Sequence, residues 1–174
     1  MTGKEFMKAV ASGQIDILQL LFDALAETES AYCVIGGLAV NAYVEPVVSL
    51  DLDIIVAAEN VEKLIGAAKS RSLNVERFER SVNLSCPQSE LRIQLRTDKR
   101  YQDFISRSQD MEVLGYTMKV ATIEDVFQGK VWAYKDSTRR RSKRQKDLAD
   151  IVRLIELQPK LEELLPAMVR EQIQ

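Results

Sequence analysis

Hydrophobic residues recur at helical spacing near the start of the chain and in strand-like runs farther along. Between residues 4 and 28 they return mostly at three- and four-residue steps, which predicts one or two helices. The apolar run AYCVI at residues 31–35 predicts a short strand, and LAVNAYV at residues 38–44 predicts a short helix that ends before Pro46. Residues 49–56, with the sequence SLDLDIIV, predict a strand that is buried yet carries two acids.

The second half of the chain shows the same two patterns. Residues 59–72 predict a helix, and residues 73–97 contain the strand-like runs LNVERFE, SVNLS and LRIQLRT. Residues 115–121 predict a further strand, and the pattern from Thr122 to residue 174 is helical. This order of elements predicts an α/β (α+β) fold in which a small mixed β-sheet is packed by helices.

The length of 174 residues fits one core with a helical extension better than two full domains. We therefore expect residues 1–121 to form the main domain with its N-terminal helices, and residues 122–174 to form a C-terminal helical region packed on it. No apolar run approaches the roughly 20 residues that a membrane span needs. The N-terminal segment lacks the apolar core of a signal peptide, so we expect a cytoplasmic protein that does not contact a membrane.

Histidine is absent from the sequence. Its absence excludes Ser/His/Asp and Cys/His triads, zinc sites with histidine ligands, and acid-base catalysis by imidazole. Any chemistry must therefore come from carboxylates, lysines, arginines or a hard metal ion. The formal net charge is only −2, so binding of a nucleic acid would need a local basic patch.

Asp51 and Asp53 stand in the predicted strand of residues 49–56. Because side chains alternate along a strand, both carboxylates point to the same face, roughly 6.6 Å apart. At an effective dielectric constant of about 20, their repulsion is about 2.5 kcal/mol and needs relief. Either water solvates both groups on an exposed face, or a cation lies between them. Mg²⁺ suits the second case because it binds carboxylate oxygens and completes its shell with water and phosphate oxygens.

Gly36 and Gly37 follow the first predicted strand and open the short helix. Bare backbone N–H groups at the start of a helix favour an anion. A Gly-Gly pair alone is also compatible with an ordinary turn. Here the pair is followed by a short helix and then by DLDI, so a turn suited to phosphate precedes an acid pair along the chain.

The succession of strand, IGG, short helix and DLDI resembles the signature of the nucleotidyltransferase fold of the DNA polymerase β type. The resemblance implies that Asp51 and Asp53 hold Mg²⁺ or Mn²⁺ ions that bridge the triphosphate of an NTP. It implies that Gly36 and Gly37 contact the phosphates and that Ser49 helps at the same turn. The reaction would be attack on the α-phosphorus with pyrophosphate leaving, which needs no histidine.

Later segments resemble small bacterial nucleotidyltransferases related to abortive-infection toxins. TIEDVFQGKVWAYKDS is similar to their helix with a characteristic lysine, here Lys130. RSKRQKDLADIVRL is similar to their Lys-Asp-x-x-Asp helix, here Lys146, Asp147 and Asp150. The resemblance implies that Lys130 stabilises triphosphate charge, that Lys146 binds nucleotide, and that Asp147 is a base or an additional metal ligand. The alternative is that Lys130 is a solvated helix residue and that the two aspartates are surface acids or partners of nearby arginines.

One position departs from the pattern of the fold. Many members carry a third carboxylate on a later strand, where this chain has LRIQLRTD. The aligned residue is Gln94, whose neutral amide cannot replace a charged metal ligand at full strength. Either the site works with two acids and an acid from the helical half, such as Asp147, or it has lost its activity.

A basic run lies in the segment STRRRSKRQKD. Such a run can be a solvated face, or it can bind the phosphates of a nucleotide or of an RNA acceptor. Its members are Arg139, Arg140, Arg141, Lys143, Arg144 and Lys146.

Together these features predict a Mg²⁺-dependent nucleotidyltransferase that moves a nucleoside monophosphate from an NTP to an RNA (tRNA), protein or small-molecule acceptor. The resemblance adds a toxin role with a cognate antitoxin as partner. The alternative is a catalytically inactive copy of the fold that binds a nucleotide, an RNA or a protein partner, and Gln94 is the residue that favours it.

Overall fold

A mixed sheet of seven strands forms the centre of the structure, a computed structural model that describes residues 2–174 apart from the side chain of Val10. In chain order the strands are β1 (Tyr32–Ile35), β2 (Asp51–Val56), β3 (Asn74–Arg77), β4 (Ser81–Cys86), β5 (Ser89–Arg96), β6 (Gln109–Val113) and β7 (Tyr116–Val120). Across the sheet the order is β3-β4-β5-β2-β1-β7-β6. The pairs β2 with β5 and β1 with β7 are parallel, and the other neighbours are antiparallel. This confirms the predicted mixed sheet.

Helices precede, connect and follow the strands. In chain order they are α1 (Gly3–Val10), α2 (Ile17–Glu27), α3 (Gly36–Val40), α4 (Val61–Ser70), α5 (Gln102–Arg107), α6 (Ile123–Lys135), α7 (Arg141–Leu157) and α8 (Ala167–Arg170). Short 3₁₀ segments lie at Ala58–Asn60, Lys99–Tyr101 and Pro159–Leu164. The predicted α/β (α+β) class is therefore confirmed.

Polar side chains define where two of these helices begin. The Thr2 hydroxyl accepts a hydrogen bond from the backbone N–H of Glu5, and the Glu5 carboxylate accepts one from the backbone of Thr2. This reciprocal pair is a capping box at the start of α1. The Thr122 side chain accepts a hydrogen bond from the backbone N–H of Asp125 at 3.2 Å. That cap fixes the start of α6, the helix that carries Lys130.

One face of the central strands is apolar and buried. Leu84, Ile93 and Leu52 lie side by side across β4, β5 and β2, and each is almost fully buried. Ile54, one step farther along the same face of β2, is 0% exposed. Burial of these side chains holds the register between the strands, because a slip of one residue would turn the apolar set outward.

The opposite face of the same strands is polar at the position that carries the two acids. The strand register places Gln94 of β5 between Asp53 of β2 and Asn83 of β4. This polar row lies directly behind the buried row, since side chains alternate along each strand. The sheet therefore presents a polar surface beside the acid pair.

The C-terminal helices close over the acid-bearing part of the sheet. Helices α6 and α7 pack against each other, and both contact α3. The division at residue 121 remains a prediction, although the sheet ends at Val120 and α6 begins at Ile123. Among residues 2–174, no helix combines the length and apolar character that crossing a membrane requires.

Three local elements differ from the sequence prediction. Helix α3 spans Gly36–Val40 rather than residues 38–44, and turns follow it before Pro46. Helix α5 and strand β6 were not predicted. Strand β6 is mostly exposed, so its sequence QDMEV lacks the apolar alternation that marks a half-buried strand.

We expect Ile54→Ala to lower the free energy of unfolding by about 3 kcal/mol, because the side chain lies in a close-packed core and its loss leaves a cavity. Val48→Ala, at a side chain that is 51% exposed, is the control and should change the same quantity by less than about 0.5 kcal/mol. Urea denaturation followed by circular dichroism measures both variants. Equal losses would show that Ile54 is not a core residue.

Candidate functional site

The two acids of β2 lie on one face of the strand, as predicted. Between them, Leu52 points to the buried core. The side chain of Asp51 is 35% exposed and that of Asp53 is 18% exposed, so a ligand can reach both carboxylates from solvent.

Basic side chains of the same chain relieve the repulsion at Asp51. Its Oδ1 lies 3.0 Å from Arg92 Nη2, and its Oδ2 accepts a hydrogen bond from Lys143 Nζ at 3.1 Å. Partial burial opposes the charged form of this carboxyl, but the hydrogen bond from Lys143 and the nearby charges of Lys143, Arg92 and Lys146 outweigh it, and the pKa of Asp51 is lowered.

Asp53 has a basic partner on the neighbouring strand. Its Oδ1 accepts a long hydrogen bond from Arg96 Nε at 3.4 Å. Relief therefore comes from arginine and lysine side chains, an arrangement that the sequence does not reveal. The alternatives considered from the sequence were water and a metal ion.

The register between β2 and β5 explains this arrangement. Arg92 lies opposite Asp51, and Gln94 lies opposite Asp53. Gln94 thus stands beside the acid pair, as the sequence alignment with the fold predicts, and its Nε2 donates a hydrogen bond to Ser81 Oγ at 3.3 Å. The strand next to the acids carries an amide flanked by two cationic residues where a third carboxylate is expected.

The glycine pair lies against the acids. Gly36 has a φ of +70°, and a Cβ at this residue would lie 2.6 Å from Asp53 Oδ2. A Cβ at Gly37 would lie 3.5 Å from Ser49 Oγ. Ser49 Oγ donates a hydrogen bond to the Asp51 carbonyl oxygen at 3.1 Å. The structure therefore brings the predicted glycines and serine to the acid pair, and only a residue without a side chain fits at position 36.

Lys130, Asp147 and Asp150 form a buried cluster of charges between α6 and α7. Lys130 Nζ lies 3.1 Å from Asp147 Oδ1 and 2.7 Å from Asp150 Oδ2. The three side chains are 7%, 2% and 5% exposed. Water hardly reaches these side chains. The alternatives that Lys130 is a solvated helix residue and that Asp147 and Asp150 are surface acids are therefore wrong.

Two arginines complete the cluster, which agrees with the alternative that the aspartates are partners of nearby arginines. Arg139 Nε donates to Asp147 Oδ2 at 2.6 Å, and Arg153 Nη1 donates to Asp150 Oδ1 at 2.9 Å. Burial disfavours the charge on Arg139, but its hydrogen bond to Asp147 prevails, and the pKa of Arg139 is raised. Asp147 therefore holds Arg139 in place.

A narrow cavity of about 30 Å³ lies between the charge cluster and Asp53. Its walls include Gly36, Asp53, Lys130, Arg139 and Asp147. Residues predicted from the IGG–DLDI segment and from the C-terminal helices thus line the same cavity. Lys130 and Asp147 lie behind the acid pair, whereas Arg139 stands between the cluster and the solvent.

The basic run divides into residues with different surroundings. Lys143 binds Asp51, and Arg140 lines the cleft beside the acids. Arg141 and Lys146 are exposed. Arg144 departs from the predicted role in binding an acceptor, because its Nε donates to the Tyr134 carbonyl oxygen at 2.7 Å and its guanidinium lies over the Tyr134 ring.

Two larger cavities meet at Arg96 and Arg139. The first has a volume of about 810 Å³ and lies between the end of β5 and the C-terminal part of α6, where Tyr101 and Trp132 line it. The second, of about 230 Å³, lies over the polar face of the sheet and contains Asp51 in its wall. Both arginines line both cavities.

Arg92, Arg96 and Trp132 were not singled out from the sequence. The alternation in LRIQLR indicates that the two arginines share a face with Gln94. The pattern alone does not indicate which strand lies beside that face. Trp132 follows a helical pattern, and nothing in that pattern distinguishes a cavity wall from a core position.

Solved structures of known proteins share this architecture. ANT(2'')-Ia, solved in complex with adenylyl-2''-tobramycin, is 14% identical in sequence, with coverage of 91% of this chain and 97% of its own and a TM-score of 0.63. The lincosamide antibiotic adenylyltransferase LnuA, solved with lincomycin, is 11% identical, with coverage of 79% and 95% and a TM-score of 0.56. An antigenic nucleotidyltransferase-like protein from Paracoccidioides brasiliensis is 17% identical, with coverage of 80% and 75% and a TM-score of 0.52.

The chain therefore has the nucleotidyltransferase fold, which confirms the fold expected from IGG and DLDI. No family model and no curated protein sequence matches the chain. At these sequence identities the similarity shows the fold alone, and the substrates belong to the proteins named with them.

The oxygen ligands on β2 fit a Mg²⁺ ion that arrives with phosphates. Mg²⁺ is usually bound through one or two carboxylates together with substrate phosphates, and Asp51 and Asp53 supply two carboxylates. The absence of a Cβ at Gly36 leaves the space in which the Asp53 carboxylate lies. Within the described part of the chain, no group of three or more acidic, cysteine or histidine side chains could hold a metal ion.

We expect Gly36→Ala to lower the free energy of unfolding by about 1–2 kcal/mol, because a left-handed backbone strains an L-residue and the new methyl group meets Asp53. Gly66→Ala is the control. Gly66 lies inside α4 with open space around its Cα, so the same change there should raise stability by about 0.5–1 kcal/mol. Urea denaturation measures the free energy of unfolding of both variants, and the two changes should have opposite signs. A stabilised Gly36→Ala variant would contradict the described turn.

We expect Lys130→Met to lower the free energy of unfolding by about 3–5 kcal/mol, because it leaves Asp147 and Asp150 buried without their shared cation. Lys119→Met is the control. Lys119 belongs to an ion pair in which both side chains are about half exposed or more, so its loss should cost less than about 1 kcal/mol. Chemical denaturation measures both losses, and similar small values would show that the cluster is solvated.

Proposed function

We propose that this chain is a nucleotidyltransferase that transfers a nucleoside monophosphate from an NTP to an acceptor. The observation that carries the proposal is the acid pair on β2, which lies in a cleft lined by Arg96 and Arg139 and in which Asp53 lies against Gly36. Such a cleft offers carboxylates for a metal ion and cations for phosphates at the same point. The nucleotidyltransferase fold supports the same reaction class.

In this proposal the nucleotide lies with its phosphates at the glycine pair. Gly36 and Gly37 leave room for phosphate oxygens beside α3, and Ser49 offers a hydroxyl at the same place. Lys146, which is exposed near Asp51, adds a positive charge. Asp51 and Asp53 would hold Mg²⁺ or Mn²⁺, which when bound offsets the charge of the phosphates and orients them for in-line attack.

Arg139 is the residue we expect to contact the triphosphate from the helical side. It is 27% exposed, and its hydrogen bonds to Asp147 fix the direction of its guanidinium. Lys130, at 7% exposure, neutralises Asp147 and Asp150 from behind. Lys130 would then act on the phosphates indirectly, because it offsets the charge of the aspartate that holds Arg139, and it would not contact them.

The predicted role of Asp147 as a base is less favourable in this environment. A general base must have an oxygen free to accept a proton, and the two oxygens of Asp147 are already bonded to Lys130 and Arg139. Asp98 is the nearest acid beyond β5, but it binds the backbone and guanidinium of Arg100. We therefore propose that Asp147 positions Arg139 and that the acceptor loses its proton to water.

The cavity of about 230 Å³ over the sheet, through which phosphates would also approach Asp51, is where we expect the attacking group of the acceptor to meet the nucleotide. Asn83 Oδ1 is buried without a hydrogen-bond partner, and Asn83 lines this cavity. That oxygen can accept a hydrogen bond from a hydroxyl or an amine. Arg140 and the exposed Arg141 lie at the start of α7 and would guide an RNA (tRNA) or another anionic acceptor. Protein and small-molecule acceptors, and a toxin role with a cognate antitoxin, remain predictions from the resemblance.

A second candidate function is metal-independent binding of a nucleotide by a catalytically inactive copy of the fold. Gln94 at the position of the third carboxylate and the ion pairs of Asp51 and Asp53 favour it. In this case the cleft would still attract a triphosphate through its arginines, but no nucleoside monophosphate would be transferred to an acceptor.

Transfer of label from α-³²P-labelled NTPs distinguishes the two functions. Each of the four NTPs is incubated with the protein, Mg²⁺, and either total RNA or total protein, and the products are separated by electrophoresis. We expect label to join one class of acceptor and to fall at least 100-fold in Asp51→Asn and Asp53→Asn, because each variant removes a charged metal ligand. Asp110→Asn, an exposed acid outside the cleft, is the control and should keep full transfer.

Nucleotide binding without transfer of label to any acceptor would contradict the enzyme and favour the inactive copy. Gln94→Asp extends the experiment, since a restored carboxylate should strengthen metal binding in both cases. The Gln94→Asp variant should transfer label only if the other residues of the site are competent for catalysis.

A further inference from the structure

Arg92 and Lys143, the two basic residues paired with Asp51, are held less firmly than the charged residues of the buried cluster. Arg92 is 66% exposed, and Lys143 is 36% exposed. Exposed ion pairs contribute little to stability, because water solvates both partners nearly as well when they separate. Arg92 and Lys143 can therefore leave Asp51 at small cost, whereas Lys130 cannot leave its aspartates without stranding buried charges.

Arg92 and Lys143 also line the cavity in which a nucleotide's phosphates would approach Asp51. The wall of this cavity contains two acids and five basic residues, so it attracts anions before any metal ion is present. The basic residues are Arg92, Arg96, Arg139, Arg140 and Lys143. The acids hold three of the five in the free protein. A cation that binds the acids in their place would leave those three basic side chains free to bind a ligand's phosphates.

We propose that Arg92 and Lys143 hold Asp51 in the nucleotide-free protein and transfer to the nucleotide's phosphates when a divalent metal ion enters with the nucleotide. This inference rests on the proposed function. It assigns to both residues the role of phosphate ligands, and it assigns to the pair the role of keeping the acids from binding metal alone. The physical reason is that a divalent ion at Asp51 would lie beside two positive side chains and be repelled until phosphates draw them away.

Two consequences have opposite signs. Removing the positive charges at residues 92 and 143 should strengthen binding of a metal ion by the free protein, because Asp51 is no longer occupied. The same change should weaken binding of a triphosphate with its metal ion, because two phosphate ligands are lost. A purely structural role for these residues would not produce opposite changes.

The experiment compares the parent with Arg92→Gln/Lys143→Gln. Mn²⁺ binding by the protein alone is measured by the loss of the free Mn²⁺ signal in electron paramagnetic resonance. Binding of inorganic tripolyphosphate, which has the phosphates without a base, is then measured by isothermal titration calorimetry in the presence of Mn²⁺. We expect the double variant to bind Mn²⁺ alone at least tenfold more tightly than the parent. We expect it to bind tripolyphosphate in the presence of Mn²⁺ at least tenfold more weakly.

Arg77→Gln/Lys119→Gln is the control, because it removes the same number of charges from exposed ion pairs outside both cavities. It should leave both affinities within twofold of the parent values. Arg92→Gln alone changes a mostly exposed side chain, so it should keep the fold even if the double variant does not. It should show the same two opposite shifts, each of at least threefold.

Unchanged affinities in the Arg92 and Lys143 variants would overturn the inference, and so would a parent that binds Mn²⁺ as tightly without tripolyphosphate as the double variant does. Weaker binding of both Mn²⁺ and tripolyphosphate would also overturn it, since the two residues would then only position Asp51. The opposite shifts without any transfer of labelled nucleotide would support the inference and overturn the proposed function alone.

Discussion

Repulsion between the two carboxylates of β2 is the constraint on which the site depends. Asp51 and Asp53 must share a strand face because Leu52 between them packs in the core. The cations that relieve the repulsion come from β5 and from the start of α7, so the acids connect the sheet to the C-terminal helices. The geometry of the cleft is therefore set by charge balance as much as by packing, and a ligand that alters this balance can alter the cleft.

The buried cluster at Lys130 gives the cleft a fixed wall behind these adjustable contacts. Lys130, Asp147 and Asp150 are nearly inaccessible to water, so the loss of any one of them would leave its partners without compensation in the interior. Arg139 connects the cluster with the cleft, since its guanidinium binds Asp147 yet remains partly exposed. The site thus combines firmly held charges on the helical side with loosely held ones over the sheet.

Local patterns were sufficient for much of the fold and for the acid pair. The alternation in SLDLDIIV and the glycines before α3 are properties of neighbouring residues, so the sequence indicates them directly. The partners of the acids are not local, because Arg96 is 43 positions from Asp53 and Lys143 is 92 positions from Asp51. Their meeting depends on strand register and on the docking of α7, which no short segment encodes. Strand β6 escaped prediction because it is mostly exposed.

Arg96 and Arg139 form the shared boundary between the cavity beside Trp132 and the cavity over the sheet. A molecule that moves either guanidinium changes the width of both spaces in one step. If occupants of the two cavities displaced the same guanidinium, each would change the affinity of the other by the same factor. The two cavities are thus neighbours across one wall of two arginine side chains rather than unrelated spaces.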